Sequence, residues 1–354
     1  MAAIRLTLVV LIVLIGLVAT APLFVILAVS AGFAHAVRWL DRRLQARIPR
    51  GITGRDVYRF DGTLGFKMRP NLDCYCPSYT ADMFHLKTCA DGWPGWLTVE
   101  ESDVVVIGDS YAAGVGVDAE RSYFGRWGKI KIKPIACPGY DMVQGLLAAQ
   151  SLPAGALEGK LVVWLVCLEN DLFENRWPSM RTRSKPFLVE TAEGSWRIDA
   201  HHLQSGEEHA FTAAQGRFRS VKATLGAITS YYRASPLAAR GYPAAVHLLG
   251  EMSDVVKRAG GRLAVVTIPP RDIFLPRRLL DWVLKRYRIA NPESLDLDYP
   301  DKQFGPACDA LGISYTSGRQ IFGFWDYLVL GDEHWNERGH RKMQKLVREL
   351  YRSS

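Results

Sequence analysis

Four short groups of residues carry the chemistry this sequence has to offer. They are Gly108-Asp109-Ser110, Pro138-Gly139, Asn170-Asp171 and Asp332-Glu333-His334, each closing an apolar run or opening a helical one. A serine hydroxyl is a weak nucleophile until an imidazole takes its proton, a carboxylate orients that imidazole and N–H groups hold the oxyanion that forms. Together the groups supply a serine, a histidine, carboxylates, an amide and a glycine, the parts of a nucleophilic hydrolase. Singly, each has a plain structural alternative. Gly108-Asp109-Ser110 is also a strand-to-helix turn in which Asp109 or Ser110 caps the helix. Asn170 is also a turn residue and Gly139 a helix entry. His340, further along the same helix, is a rival base to His334.

The elements that must position these groups are legible as runs. Val104-Val105-Val106-Ile107 is a continuous β-branched stretch stopped by Gly108, the pattern of a strand buried on both faces of a parallel sheet. Similar runs span 131–137, 161–168, 262–268 and 313–316. Helical patterns fall in the Tyr123 region and at 142–152, 243–259, 276–288, 306–311 and 337–351. Strands alternating with helices predict an α/β fold, a doubly wound parallel sheet with helices on both faces. In such a sheet ligands bind beyond the carboxyl ends of the strands, which is where the four groups fall. Residues 103–354 form this body, interrupted by insertions at about 177–240 and 271–305. The first insertion holds a β-hairpin pattern, Phe187 to Ile198, turning at Glu193-Gly194, followed by helical sequence. Residues 51–102 form a loop-rich lead-in, and residues 1–50 a separate anchor.

In this order the groups resemble the motif blocks of the SGNH or GDSL hydrolases, from about Asp103 to Tyr351. The resemblance implies a flavodoxin-like SGNH-hydrolase fold and a catalytic triad of Ser110, His334 and Asp332. Ser110 would be the nucleophile, His334 the general base and Asp332 its orienting carboxylate. It also implies an oxyanion hole made by the Ser110 N–H, the Gly139 N–H and the Asn170 side-chain amide, with no cofactor and no metal. The sequence departs from the family at Leu168, where glycine is common, and at Gly331, where many members place the aspartate. The shorter Asp332-Glu333-His334-Trp335-Asn336 form, behind a membrane segment, is similar to the branch related to alginate O-acetyltransferases. That branch implies a serine esterase or O-acyltransferase acting on O-acetyl groups of a carbohydrate or cell-envelope polysaccharide, with an acyl-donor partner in the membrane left open. Two other classes remain: a lipid-active esterase or thioesterase, and a non-catalytic scaffold or carbohydrate-binding subunit of the same fold.

Composition narrows the classes. The 354 residues are 48% hydrophobic and 23% charged, ample for a packed core and unlike a disordered chain. Of the formal charge of +8, most sits in the first fifty residues, where six arginines meet one aspartate. A duplex reader needs its basic stripe on the folded body, so nucleic acid loses its best argument. The stretch from residue 6 to 37 lacks any Asp, Glu, Lys or Arg and as a helix would be roughly 48 Å long, enough for one tilted transmembrane span. It exceeds the core of a cleaved signal peptide, although Ala34-His35-Ala36 resembles a cleavage site. Trp39 to Ile48 reads as a basic helix on the membrane surface. The arginines after the span favour a cytoplasmic body. Cys74, Cys76 and Cys89, close enough for a disulfide, favour an extracytoplasmic, periplasmic one, which is the expected placement. The same three cysteines with His85 are a rival zinc set. His201, His202 and His209 read as a hydrated loop. Trp93, Trp96 and Trp177 read as loop anchors or sugar platforms, and Arg271 as a cation near the cleft.

Overall fold

Buried apolar runs and their turns set the architecture of the computed structural model, which describes residues 57–77, 83–125, 129–180, 183–201, 203, 228–286, 294–328 and 333–353. The membrane span expected at 6–37, the helix at Trp39 to Ile48, Asp332, His202 and His209 lie outside the described residues. Among the described residues no helix is long and apolar enough to cross a membrane.

The described chain begins with two antiparallel hairpins, β1 (Tyr58–Asp61) with β2 (Gly65–Met68), and β3 (Asp73–Pro77) with β4 (Met83–Lys87). The body follows with β5 (Val104–Gly108), β6 (Ile132–Ala136), α1 (Met142–Gln150), β7 (Leu161–Cys167) and α2 (Asp171–Glu174). Two small ladders come next, β8 (Ser179–Met180) with β9 (Arg183–Ser184), and β10 (Phe187–Glu190) with β11 (Trp196–Asp199). The last elements are α3 (Ala238–Arg258), β12 (Arg262–Ile268), α4 (Arg277–Arg286), α5 (Tyr299–Leu311), β13 (Ser314–Ser317), α6 (Gly318–Ile321) and α7 (Glu337–Ser353).

Five strands form one parallel sheet in the order β13-β12-β7-β5-β6. Every residue of β5, β6 and β7 is buried, as a sheet covered on both faces requires. The chain steps from β5 outward to β6, then back across β5 to β7 and onward to β12 and β13. Reversal at that step makes the gap between β5 and β7 a topological switch point, where a crevice opens at the carboxyl edge. Right-handed crossovers in two directions put their connections on opposite faces. One face carries α1, α3 and α5, with α1 against α3 and α3 against α5. The other carries the β5–β6 connection and α7, joined where Gln344 Nε2 donates to the Tyr123 carbonyl at 3.3 Å.

Local rules yield to packing in three places. Pro243 and Pro306 lie inside α3 and α5, where sequence reading put them at helix starts. A proline inside a helix costs about 3 kcal/mol. Burial of Tyr242, Leu248, Leu249, Met252 and Val256 along α3, at roughly 1.5–3 kcal/mol for each large side chain, outweighs that loss. The Tyr123 region, expected helical, is a 3₁₀ turn at Ala119–Arg121 followed by further turns. Buried Tyr123 serves there as a wedge, its hydroxyl donating to the Ala112 carbonyl at 2.7 Å. The hairpins of the lead-in, finally, lie between the turns read from sequence. The first of them, β1 with β2, packs on the body through Tyr140 Oη and Gln144 Nε2, which donate at 2.7 Å to the Phe66 and Leu64 carbonyls respectively.

Candidate active site

Ser110 stands two residues beyond β5, where the chain turns sharply. Asp109 Oδ1 accepts from the Tyr111 N–H at 2.9 Å, and the Ala113 N–H donates to the Asp109 carbonyl at 3.0 Å. This Asx turn holds the serine at the carboxyl edge beside the switch point. Asp109 is thus a support for the turn. Its burial pushes the carboxyl up, against the pull of the Tyr111 N–H and the His334 charge.

His334 arrives from the far end of the chain. Its ring Nε2 lies 2.7 Å from Ser110 Oγ, with both residues only 8% exposed. In the tautomer with unprotonated Nε2, the serine hydroxyl donates to the imidazole, the ground-state contact of a general base. Three restraints place the ring. Tyr111 Oη donates to the Glu333 carbonyl at 2.6 Å, the Leu328 N–H donates to the His334 carbonyl at 2.8 Å, and Tyr327 and Trp335 form an antiparallel bridge. The Tyr111 and His334 rings pack at 4.9 Å between centroids. Immediately after, Asn336 Oδ1 accepts from the Arg338 and Gly339 N–H groups, capping α7 at its start. Gly339 admits the close approach this needs, since a Cβ there would sit 2.4 Å from the Asp326 carbonyl oxygen. The loop is pinned at both ends.

Two further residues reach the same edge on neighbouring strands. Ladder register pairs Gly108 with Ala136 and Ile107 with Trp164, so the chain leaves β6, β5 and β7 side by side. Gly139 follows β6 with φ of +88°, a left-handed conformation that favours glycine. Neither the Ser110 nor the Gly139 N–H donates to another described residue. Asn170 follows β7 and opens α2. Its Nδ2 donates one N–H to Glu174 Oε2 at 3.1 Å, which fixes the amide plane and leaves the second N–H. Asp332 lies outside the described residues, so the third triad member is placed by sequence only.

Beneath the Asn170 side lies a buried polar layer that sequence reasoning missed. Lys185, fully buried, forms an ion pair with Asp141 and donates to the Glu174 carbonyl at 2.6 Å. Asp171 Oδ2 accepts from the Cys167 N–H at 2.8 Å, and burial drives its carboxyl far above the ordinary range. Burial likewise moves Glu174 up to about 7, against the pull of the Asn170 hydrogen bond. Glu174 was findable, four residues after Asn170 on one helical turn. Tyr111 was findable as the neighbour of Ser110. Lys185 was not, because an insertion carries it.

The remaining candidates separate from the site. His340 is buried, accepts from the Tyr123 N–H at 3.3 Å through Nδ1, and is lowered to about 3 by burial and by the neighbouring His334 charge. It is a core histidine. Arg271 donates to the Leu328 carbonyl at 3.0 Å and pairs with Asp272 at 3.1 Å, bracing the His334 loop. Trp93 is buried beneath Lys67, Trp96 is half-buried, and Trp177 is exposed. His201 is exposed. Cys74 and Cys76 face one another across 3.8 Å as thiols, whereas Cys89 is held apart by Lys133 and the Gly95 and Leu97 carbonyls. His85 is bound by Asp73 and Glu120. Among the described residues no three such side chains form a metal cage. A cavity of about 490 Å³ adjoins the His334 loop, lined by Val117, Arg121, Trp325, Asn336 and Arg341 among others.

No protein-family model matches the chain, and no curated protein matches it. Among solved structures, that of TesA is similar over 70% of this chain and 96% of its own, with 12% identity and a TM-score of 0.35.

Proposed function

We propose that this protein is a serine esterase or O-acyltransferase of the SGNH type, working through an acyl-enzyme on Ser110. The observation that carries the reading is the 2.7 Å contact between His334 Nε2 and Ser110 Oγ at the switch-point crevice. As Ser110 Oγ attacks an ester carbonyl, its proton passes to His334 Nε2, and the carbonyl oxygen becomes the oxyanion. The Ser110 and Gly139 N–H groups and the free Asn170 N–H are the donors for it. The imidazolium then protonates the departing alkoxide, leaving Ser110 acylated. Attack by water completes hydrolysis, and attack by a sugar hydroxyl completes transfer. Asp332 is proposed from the sequence motif as the carboxylate that orients His334.

A carbohydrate ester is the substrate class we favour, with the chain held at a membrane by residues 6–37 and the body outside the cytoplasm. Support comes from the sequence resemblance and from Trp325, 67% exposed beside the cavity next to the His334 loop, whose lining carries Arg121, Arg338 and Arg341 together with Asp118 and Glu337. An exposed aromatic face beside charged groups of both signs suits a sugar ring bearing hydroxyls, which both accept and donate. Closure of the dyad weighs against the non-catalytic scaffold.

The experiment is hydrolysis of p-nitrophenyl acetate by the full chain beside Ser110→Ala and Asn170→Ala, with folding checked by circular dichroism. Ser110→Ala is expected to lose roughly 10⁴-fold or more, and Asn170→Ala roughly 10²- to 10³-fold in kcat. Equal rates in all three proteins would overturn the reading.

A further inference from the structure

β12 ends at the carboxyl edge of the sheet, and α5, which runs back beside it to β13, starts at that same edge. The described residues between them, α4 included, therefore form an insertion on the rim that also carries Ser110. The helix is two-sided. Leu280 and Leu284 are fully buried, while Leu279 is 44% and Trp282 60% exposed. Leu279 and Trp282 are three residues apart and share the outward side, as do the exposed Arg278 and Lys285. The sequence of α4 holds four basic residues to one acid, and that acid, Asp281, is taken by Arg277 at 2.8 Å.

A single exposed leucine or tryptophan needs no explanation. Here the pair is framed by cations on a ten-residue helix, the composition of a helix lying in a lipid headgroup layer. An indole sits well at that depth, and lysine and arginine stems reach past the acyl boundary to the phosphates. A second copy is the poorer occupant, because a two-fold contact would set this positive face against itself. An anionic bilayer complements it.

We propose that the outer face of α4 docks on the headgroup layer of an anionic phospholipid bilayer, bringing the rim that carries Ser110 to the lipid–water interface. This surface is distinct from the segment at 6–37, and it stands whether or not Ser110 is a nucleophile. Tethering by that segment would raise the effective concentration of bilayer around α4.

The test uses the full chain reconstituted in nanodiscs of phosphatidylcholine with or without phosphatidylglycerol. Lipids brominated just below the headgroup quench nearby tryptophans, and Trp282→Phe isolates the share due to Trp282. The proposal expects quenching assigned to Trp282 in anionic discs, weakened in phosphatidylcholine alone. Arg278→Glu with Lys285→Glu lowers the docked-to-free ratio by roughly fivefold per charge removed. Identical quenching in wild type and Trp282→Phe on anionic discs would overturn the proposal. Trp282 shielded in detergent in proportion to protein concentration would also overturn it, assigning the face to a second copy.

Discussion

His334 and His85 each hold polar partners at hydrogen-bonding distance, and under the proposed function only His334 moves a proton. His85 lies on β4 with Nδ1 against Glu120 at 3.0 Å and Nε2 against Asp73 at 2.7 Å. With a carboxylate on each nitrogen, both positions donate and none is left to accept. Burial opposes the charge there, but the two carboxylates outweigh it and raise His85 above the ordinary imidazole value. The result is a charged clamp between the lead-in hairpin and the β5–β6 connection, joined by Asp118, which accepts from the His85 N–H at 2.8 Å. His334 instead meets a hydroxyl inside a nearly closed crevice. The contrast teaches that a histidine's chemistry follows from what its second nitrogen and its surroundings permit, more than from the strength of its contacts.

The largest expected effect separates the two histidines by activity. His334→Gln is expected to lower ester hydrolysis roughly 10³-fold or more, while His85→Gln leaves kcat within about twofold. Steady-state rates on one ester check both, and a comparable loss in His85→Gln would break the distinction.

Stability against pH sharpens it. His340 is held neutral by burial, so its folded value of about 3 lies below the unfolded value of about 6.5. That contribution is full above the unfolded value and is lost as pH falls toward 3. His340→Leu is expected to cost about 1–3 kcal/mol near neutrality by stranding the Tyr123 N–H, and to flatten the loss of stability on acidification. Urea denaturation from pH 7 to pH 4 measures both.

The smallest effect has the opposite slope. Because His85 titrates higher in the folded state, its contribution is full below about 6.5 and disappears as pH rises through the raised value. Asp73 and Glu120, both lowered, contribute above the carboxylate range and lose this as pH falls. Half-exposed carboxylates keep the whole clamp under about 1 kcal/mol. His85→Gln should therefore lose less stability than wild type between pH 6 and 8, read as a smaller shift in urea midpoint.

Much of this arrangement was legible in advance because strands covered on both faces are written as unbroken apolar runs. Val104 to Gly108, Leu161 to Cys167 and Arg262 to Ile268 begin and end within a residue of their expected limits. Once those ends are known, polar residues gathered beyond them mark the crevice, and Ser110 with His334 follows. Hairpins of the lead-in were hidden because four- and five-residue strands hold too few alternations to stand out from their turns. Pairings across long separations were hidden for another reason. Tyr111 Oη on the Glu333 carbonyl and Lys185 on Asp141 join residues whose types are unremarkable until the fold brings them together.

The most direct measurement of the central claim is covalent labelling of the full chain by a fluorophosphonate, with the adduct located by peptide mass spectrometry. An activated serine loses its proton to the imidazole as phosphorus bonds to Oγ and fluoride departs. The account predicts one adduct, on Ser110, and its loss in His334→Gln at matched folding. Labelling on another residue, or labelling of Ser110 undiminished without His334, would contradict it.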